Sequence, residues 1–132
     1  MRLFLDANIL FSGSSVNSNL HKLLVYLSES HTLCTSSYAY EEAKRNIGVK
    51  KPDWHDGFTR LEAFVTVHNI NVPLDETIDL VEKDRPILSA SIGLKCDYLI
   101  TGDRKDFGHL FGTTIEGVKV LPPNDFIRED GV

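Results

Sequence analysis

Met1-Arg2-Leu3-Phe4-Leu5-Asp6 opens the chain, and Asp97-Tyr98-Leu99-Ile100-Thr101-Gly102-Asp103 repeats its plan near the other end. Each contains an apolar run of strand length with no polar alternation, the mark of a strand buried on both faces. Each also ends in an aspartate. Such strands belong to parallel sheets covered by helices, and an open parallel sheet builds its sites at the carboxyl ends of its strands. Asp6 and Asp103 therefore stand where chemistry is expected.

Between these two strands the pattern alternates. Asp6-Ala7-Asn8 reads as a turn and Ser12-Gly13-Ser14-Ser15 as a polar loop. Leu20, Leu23, Leu24 and Leu27 then recur at helical spacing behind a cap from Asn17 or Ser18. Thr32 to Thr35 reads as a strand, Ser36-Ser37 as a cap, and Tyr38 to Gly48 as a helix bearing Glu41, Glu42 and Arg45. Pro52-Asp53 restarts a helix whose apolar stripe is Trp54, Phe58, Leu61, Phe64 and Val65. Val67 to Val72 reads as a strand ended by Pro73, and Leu74 to Val81 as a helical segment.

Asp84-Arg85-Pro86 opens a helix that lays Ile87, Leu88, Ser91, Ile92 and Leu94 against the sheet. A fourth strand covers 97–101, a short helix or turn Arg104 to Phe111, a fifth strand Gly117 to Leu121, and a last helical turn Asn124 to Ile127. This alternation indicates an α/β sandwich around a mainly parallel sheet, in one domain spanning 1–132, with no repeat, low-complexity tract or linker.

With 132 residues, 42% of them hydrophobic, the chain can bury a core without staples. A net charge of -5 argues against gripping nucleic acid by bulk positive potential, although it does not exclude a nuclease. Basic residues gather near the acids, at Lys44-Arg45, Lys50-Lys51, Lys83, Arg85 and Arg104-Lys105. Cys34 and Cys96 form no Cys-x-x-Cys pair and lie in or beside apolar runs, which suits a reduced, cytoplasmic protein with buried thiols. The start has no leader-like pattern, and no apolar run approaches membrane-spanning length, so an unexported chain is expected.

Asp6, Glu42, Asp84 and Asp103 each have a local explanation. Asp84 before Arg-Pro is a good helix cap, Asp6 and Asp103 suit turns, and Glu42, like Glu41, suits a solvated helix face. Together they say more. Parallel strands would gather Asp6, Asp84 and Asp103 at one crevice, and like charges held together stay ionised only around a cation. Carboxylates without histidine suit Mg²⁺ or Mn²⁺, and the five histidines show no paired ligand spacing that would suit zinc.

Four segments, Leu5-Asp6-Ala7-Asn8, Tyr40-Glu41-Glu42-Ala43, Asp84-Arg85-Pro86-Ile87-Leu88-Ser89-Ala90 and Thr101-Gly102-Asp103-Arg104-Lys105-Asp106-Phe107, resemble in order and spacing the motifs of PIN-domain ribonucleases. The resemblance spans nearly the whole chain. It implies a three-layer α/β/α sandwich with a five-stranded, mainly parallel sheet in the order 3-2-1-4-5. It also implies one or two Mg²⁺ or Mn²⁺ ions, cleavage of single-stranded RNA, and often the toxin role in a VapBC-type pair, with a cognate antitoxin and a homodimer.

By the same resemblance Asp6, Glu42, Asp84 and Asp103 form the catalytic quartet, with Asp6, Asp84, Asp103 and Asp106 as metal ligands. Asn8 and Thr101 match the polar residues that orient the first and last carboxylates. Glu42 is chosen over Glu41 because it directly precedes Ala43, and the two side chains leave the helix about 100° apart. Arg45, Arg85, Arg104 and Lys105 are candidates for phosphate contacts.

Two other readings compete. A haloacid-dehalogenase-like phosphatase also ends its first strand in Asp, but that chemistry wants Asp-x-Asp where this chain has Asp6-Ala7-Asn8, and no clear catalytic lysine lies between the motifs. A non-catalytic PIN-like module binding RNA or protein would need none of the retained acids. For self-association the apolar faces around Leu20 to Leu27 and Trp54 to Val65 are the candidates, each equally suited to core.

Overall fold

The computed structural model describes residues 1–130. Its strands are β1 (Arg2–Leu5), β2 (Thr32–Ser36), β3 (Val65–His68), β4 (Tyr98–Ile100), β5 (Thr114–Ile115) and β6 (Val118–Leu121). Its α-helices are α1 (Ala7–Ser12), α2 (Asn19–Ser28), α3 (Ser37–Lys50), α4 (His55–Glu62), α5 (Arg85–Gly93), α6 (Arg104–Phe107) and α7 (Pro123–Asp130). They build one six-stranded sheet in the order β3-β2-β1-β4-β6-β5. All neighbours pair in parallel except β5 and β6.

The apolar opening of the chain is the centre of the sheet. β1 pairs with β2 on one side and β4 on the other. Successive strand residues face opposite sides of a sheet, and Leu3, Phe4 and Leu5 are all fully buried, so helices must cover both faces. The α/β/α sandwich is therefore present, and its parallel core, β3-β2-β1-β4-β6, has the expected order with β6 as the fifth parallel strand. The strand count differs. An antiparallel hairpin adds β5, because Glu116 and Gly117 adopt positive φ of 48° and 89° and turn the chain back on itself. Consecutive left-handed residues give the tight turn whose twist suits a hairpin.

Three other expectations shift. Ala7–Ser12 is helix rather than turn and loop, because the Asp6 carboxylate caps it at the Ala7 amide and Ile9 and Leu10 bury against the core. The strand expected over Val67 to Val72 pairs only from Val65 to His68. Ile70 and Val72 leave the sheet and close over Gly93, where a β-carbon would sit 2.8 Å from Ile70 and 3.1 Å from Val72. The segment 74–81 is not helical. Its Leu74, Asp75 and Ile78 carbonyls are held by the Arg85 guanidinium instead of by a helical ladder.

Cys34 and Cys96 are both free and buried, their sulfurs 3.4 Å apart. The faces considered for self-association turn largely inward, with Leu24, Leu27, Phe58, Leu61 and Val65 in the core. No helix among the described residues is long and apolar enough to cross a membrane.

Candidate metal centre

The carboxyl ends of β1 and β4 lie side by side, since Leu5 pairs with Ile100 and the Asp6 amide donates to the Ile100 carbonyl. That register brings Asn8 and Thr101 together on Asp6. Thr101 Oγ1 donates to Asp6 Oδ2 at 2.7 Å, and Asn8 Nδ2 donates to the same oxygen at 2.9 Å. Asp6 Oδ1 accepts from the Ala7 amide at 2.6 Å.

The network continues into the β4 loop. Thr101 Oγ1 accepts from Asn8 Nδ2 and from the Asp103 amide, while Asn8 Oδ1 accepts from the Gly102 amide at 2.8 Å. One hydroxyl with its single donor and two acceptor positions all used fixes both strand ends. Asp6 is only 3% exposed. Burial drives its carboxyl up to about 6, with the Thr101 and Ala7 bonds pulling it down and the charges of Glu42 and Asp103 pushing it up further.

A cavity of about 470 Å³ opens above these strand ends. Asp6, Asn8, Glu42, Lys83, Asp84 and Asp103 line it, with Leu20 and Pro123 on its walls. Glu42 thus faces the crevice from α3, whereas Glu41 lies outside it. Asp103 caps α6 through its Oδ1, which accepts from the Asp106 amide at 3.0 Å. Each of Asp84, Asp103 and Asp106 offers a carboxylate oxygen, and these oxygens lie within 4.8 Å of one another. Asp6 and Glu42 share the cavity but stand outside that tight trio.

Asp84 does not act as the helix cap its sequence context suggested. A 3-10 turn, Glu82–Asp84, runs straight into α5, so Asp84 already has helical backbone and its side chain makes no capping bond. Its Oδ2 is buried without any hydrogen-bond partner. Burial, then the Asp106 carboxyl beside it, then Asp6 raise its pKa to about 7, with Lys83 opposing. An anionic oxygen buried without a donor is costly, and a cation is the partner that removes the cost. The three carboxylates supply oxygen donors only, the set that hard divalent cations take. The residues therefore fit Mg²⁺ or Mn²⁺.

Lys83 is the residue sequence reasoning passed over as one basic residue among several. Its ammonium lies 3.4 Å from Asp106 Oδ2, on a side chain 70% exposed at the rim. The Tyr38 hydroxyl donates to the Lys83 carbonyl at 2.7 Å and ties that turn to α3. Position next to Asp84 was the available signal.

The other basic candidates divide. Arg85 is removed from the phosphate-contact set, because its guanidinium is committed to the 74–78 carbonyls and it does not line the crevice. Arg104 is exposed, stacks its guanidinium over Phe111 at 5.8 Å, and lines a second cavity adjoining the first. Lys105 is exposed beside it, and Arg45 lines a shallow pocket with Glu41 and Glu42.

No family model matches the chain, and no curated protein matches it. Among solved structures it is similar to VapBC2 from Rickettsia felis bound to a DNA fragment from their promoter. The identity is 15%, the TM-score 0.66, and the match covers 92% of this chain and 98% of that one. Likeness at that identity speaks to the fold, and the fold is the PIN-like sandwich.

Proposed function

We propose that the chain is a divalent-metal-dependent ribonuclease that hydrolyses phosphodiester bonds in single-stranded RNA, acting as the toxin of a toxin-antitoxin pair. The observation that carries the reading is Asp84, whose buried Oδ2 has no hydrogen-bond partner and whose carboxylate clusters with those of Asp103 and Asp106. The fold shared with VapBC2, a protein solved with promoter DNA, supports the toxin setting and an antitoxin partner.

Asp84, Asp103 and Asp106 would hold Mg²⁺ or Mn²⁺, with Asp6 and Glu42 completing the acidic wall. When bound, the ion supplies charge neutralisation at the phosphate and a lowered pKa for the attacking water. The chain's own residues supply position. Asn8 and Thr101 fix the Asp6 carboxylate so that it orients the attacking water, and Glu42 faces the same space from α3. Lys83, Arg104, Lys105 and Arg45 receive the flanking phosphates. The attacking water gives up a proton to solvent as its oxygen bonds to phosphorus, the bond to the 3′-oxygen breaks, and that oxygen leaves as a hydroxyl after taking a proton from solvent.

The phosphatase reading needs Asp6 as a free nucleophile, yet both its oxygens are engaged in hydrogen bonds. The test is cleavage of single-stranded RNA by the wild type, Asp6→Asn and Asp103→Asn with Mg²⁺ and with Mn²⁺. Wild-type activity that falls about 10²-fold or more in each variant is expected. Robust activity in either variant, or none in the wild type, overturns the reading.

A further inference from the structure

A second cavity of about 370 Å³ adjoins the acidic crevice. The two share Leu20, Gly102 and Pro123. Beyond that shared wall the character changes. The crevice is walled by carboxylates, whereas the second cavity is floored by Leu23, Pro122 and Ile127. Its rim carries Arg104 and two carboxamides, Asn19 and Asn124. Both asparagines are exposed.

We infer that this apolar groove is a nucleobase subsite, which takes the base of the nucleotide whose phosphate lies in the acidic crevice. The inference rests on the ribonuclease reading and gives that same site a specificity element.

Three features choose this occupant. A nucleotide joins an anionic phosphate to a flat apolar base through a sugar, and here an acidic, cation-suited cavity joins an apolar one across a single shared wall. The groove's volume lies within the range of a small-molecule pocket and far below what a helix or a long peptide needs. Its polar edge consists of carboxamides, which present donor and acceptor together and can pair with a base edge in the plane of the ring, as Asn does with adenine. The Arg104 guanidinium adds the positive charge that a phosphate requires, on a wall otherwise free of acids. An apolar peptide would leave Arg104 without an anion.

Leu20 and Leu23 come from α2, and Pro122, Asn124 and Ile127 from the start of α7 and the residue before it. The base would therefore sit between two helices packed on the sheet. Preference among bases would follow from Asn19 and Asn124.

The test uses the full chain, isotopically labelled, with Mg²⁺ present. Amide shifts are followed on titration with adenosine 5′-monophosphate and uridine 5′-monophosphate, and separately with ribose 5-phosphate, which lacks the base. The nucleotides are expected to shift the Leu20, Leu23, Asn124 and Ile127 amides and to bind about ten-fold more tightly than ribose 5-phosphate. Asn124→Ala, at an exposed position, is expected to change the ratio of affinities for the two nucleotides.

Shifts confined to the acidic crevice, or equal responses to nucleotide and ribose 5-phosphate, overturn the subsite. Silence of the groove toward nucleotides leaves it to a protein segment and overturns the inference equally. So do groove shifts that grow with protein concentration alone, the sign of a second copy. These readouts score base binding whether or not RNA is cut, so the subsite and the ribonuclease reading fail separately.

Discussion

Asp84 buries one carboxylate oxygen, Oδ2, without a hydrogen-bond partner. Its carboxyl is raised to about 7 and that of Asp6 to about 6, so the folded chain holds these protons more tightly than the unfolded chain does. The metal-free protein is accordingly most favoured by these two groups below their unfolded values, and it loses that stability as pH rises through about 6 and then about 7. A divalent cation binds the deprotonated site, so the rise in Tm on adding Mg²⁺ should grow over the same window. Thermal denaturation between about pH 5 and pH 8, with and without Mg²⁺, checks both trends.

Asp84→Asn should raise metal-free stability at the alkaline end by about 1–3 kcal/mol and abolish most of the Mg²⁺ response. A variant less stable than the wild type there would mean that Oδ2 has a partner after all. The importance of Asp84 was only half legible in the sequence. Asp before Arg-Pro is the signature of a cap, and only the 3-10 turn ahead of α5 shows that the backbone has already entered helix and released the side chain. Asn8 and Thr101 were legible through the resemblance, which matches them to polar residues that orient the first and last carboxylates. Lys83 was not, since charge density alone does not distinguish a rim cation from a solvated one.

At the scale of elements, two close approaches position the site. Gly57 of α4 lies against the loop between α1 and α2, where a β-carbon would fall 1.7 Å from the Ser14 carbonyl oxygen. Gly57→Ala should therefore cost about 3 kcal/mol or more, since backbone rather than a flexible side chain must move. Equilibrium denaturation measures it, and a cost under about 1 kcal/mol would show that the loop yields. Arg85 holds the 74–78 loop through three carbonyls. Arg85→Ala should lower stability by about 1–3 kcal/mol while leaving RNA affinity unchanged, because its guanidinium serves the fold.

Segments between the regular elements explain where sequence reading fell short. Apolar spacing through Ile70 and Val72 marks burial but not pairing, and these half-buried side chains pack on α5 at Gly93 instead of extending the strand, while Val67 pairs with Thr35 and faces solvent. The helical spacing of Leu74 and Ile78 is real, yet a distant arginine takes the carbonyls that a helix would need. The β5–β6 turn was hidden because Glu116 is a poor left-handed residue by type, and only Gly117 behind it hints at the hairpin. The parallel core was legible because strands buried on both faces have no other home.

Over the whole molecule, a net charge of -5 repels RNA, so on the proposed ribonuclease reading affinity would come from the metal and a few rim cations. With Lys83, Arg104, Lys105 and Arg45 as those contacts, log K against log salt should slope by about -3 for single-stranded RNA. Chelation of divalent ions should weaken binding about ten-fold or more. Binding in filter or fluorescence assays checks both, and a slope near -7 would require basic surface the chain lacks. Legibility at this scale was good for the sandwich and for the gathering of Asp6 and Asp103, because parallel topology dictates where strand ends meet.

The hairpin at the end of the sheet has a consequence for misassembly. An ordered fibre grows only if each copy offers two usable edges, one to accept a strand and one to present the next. Here the β5 side is a two-residue strand, too short to template a neighbour, while β3 offers four residues with Thr66 and Val67 facing solvent. With one working edge per molecule, edge-to-edge association ends at a pair of copies, and the short first strand of the hairpin has converted an open-ended hazard into a self-limiting one.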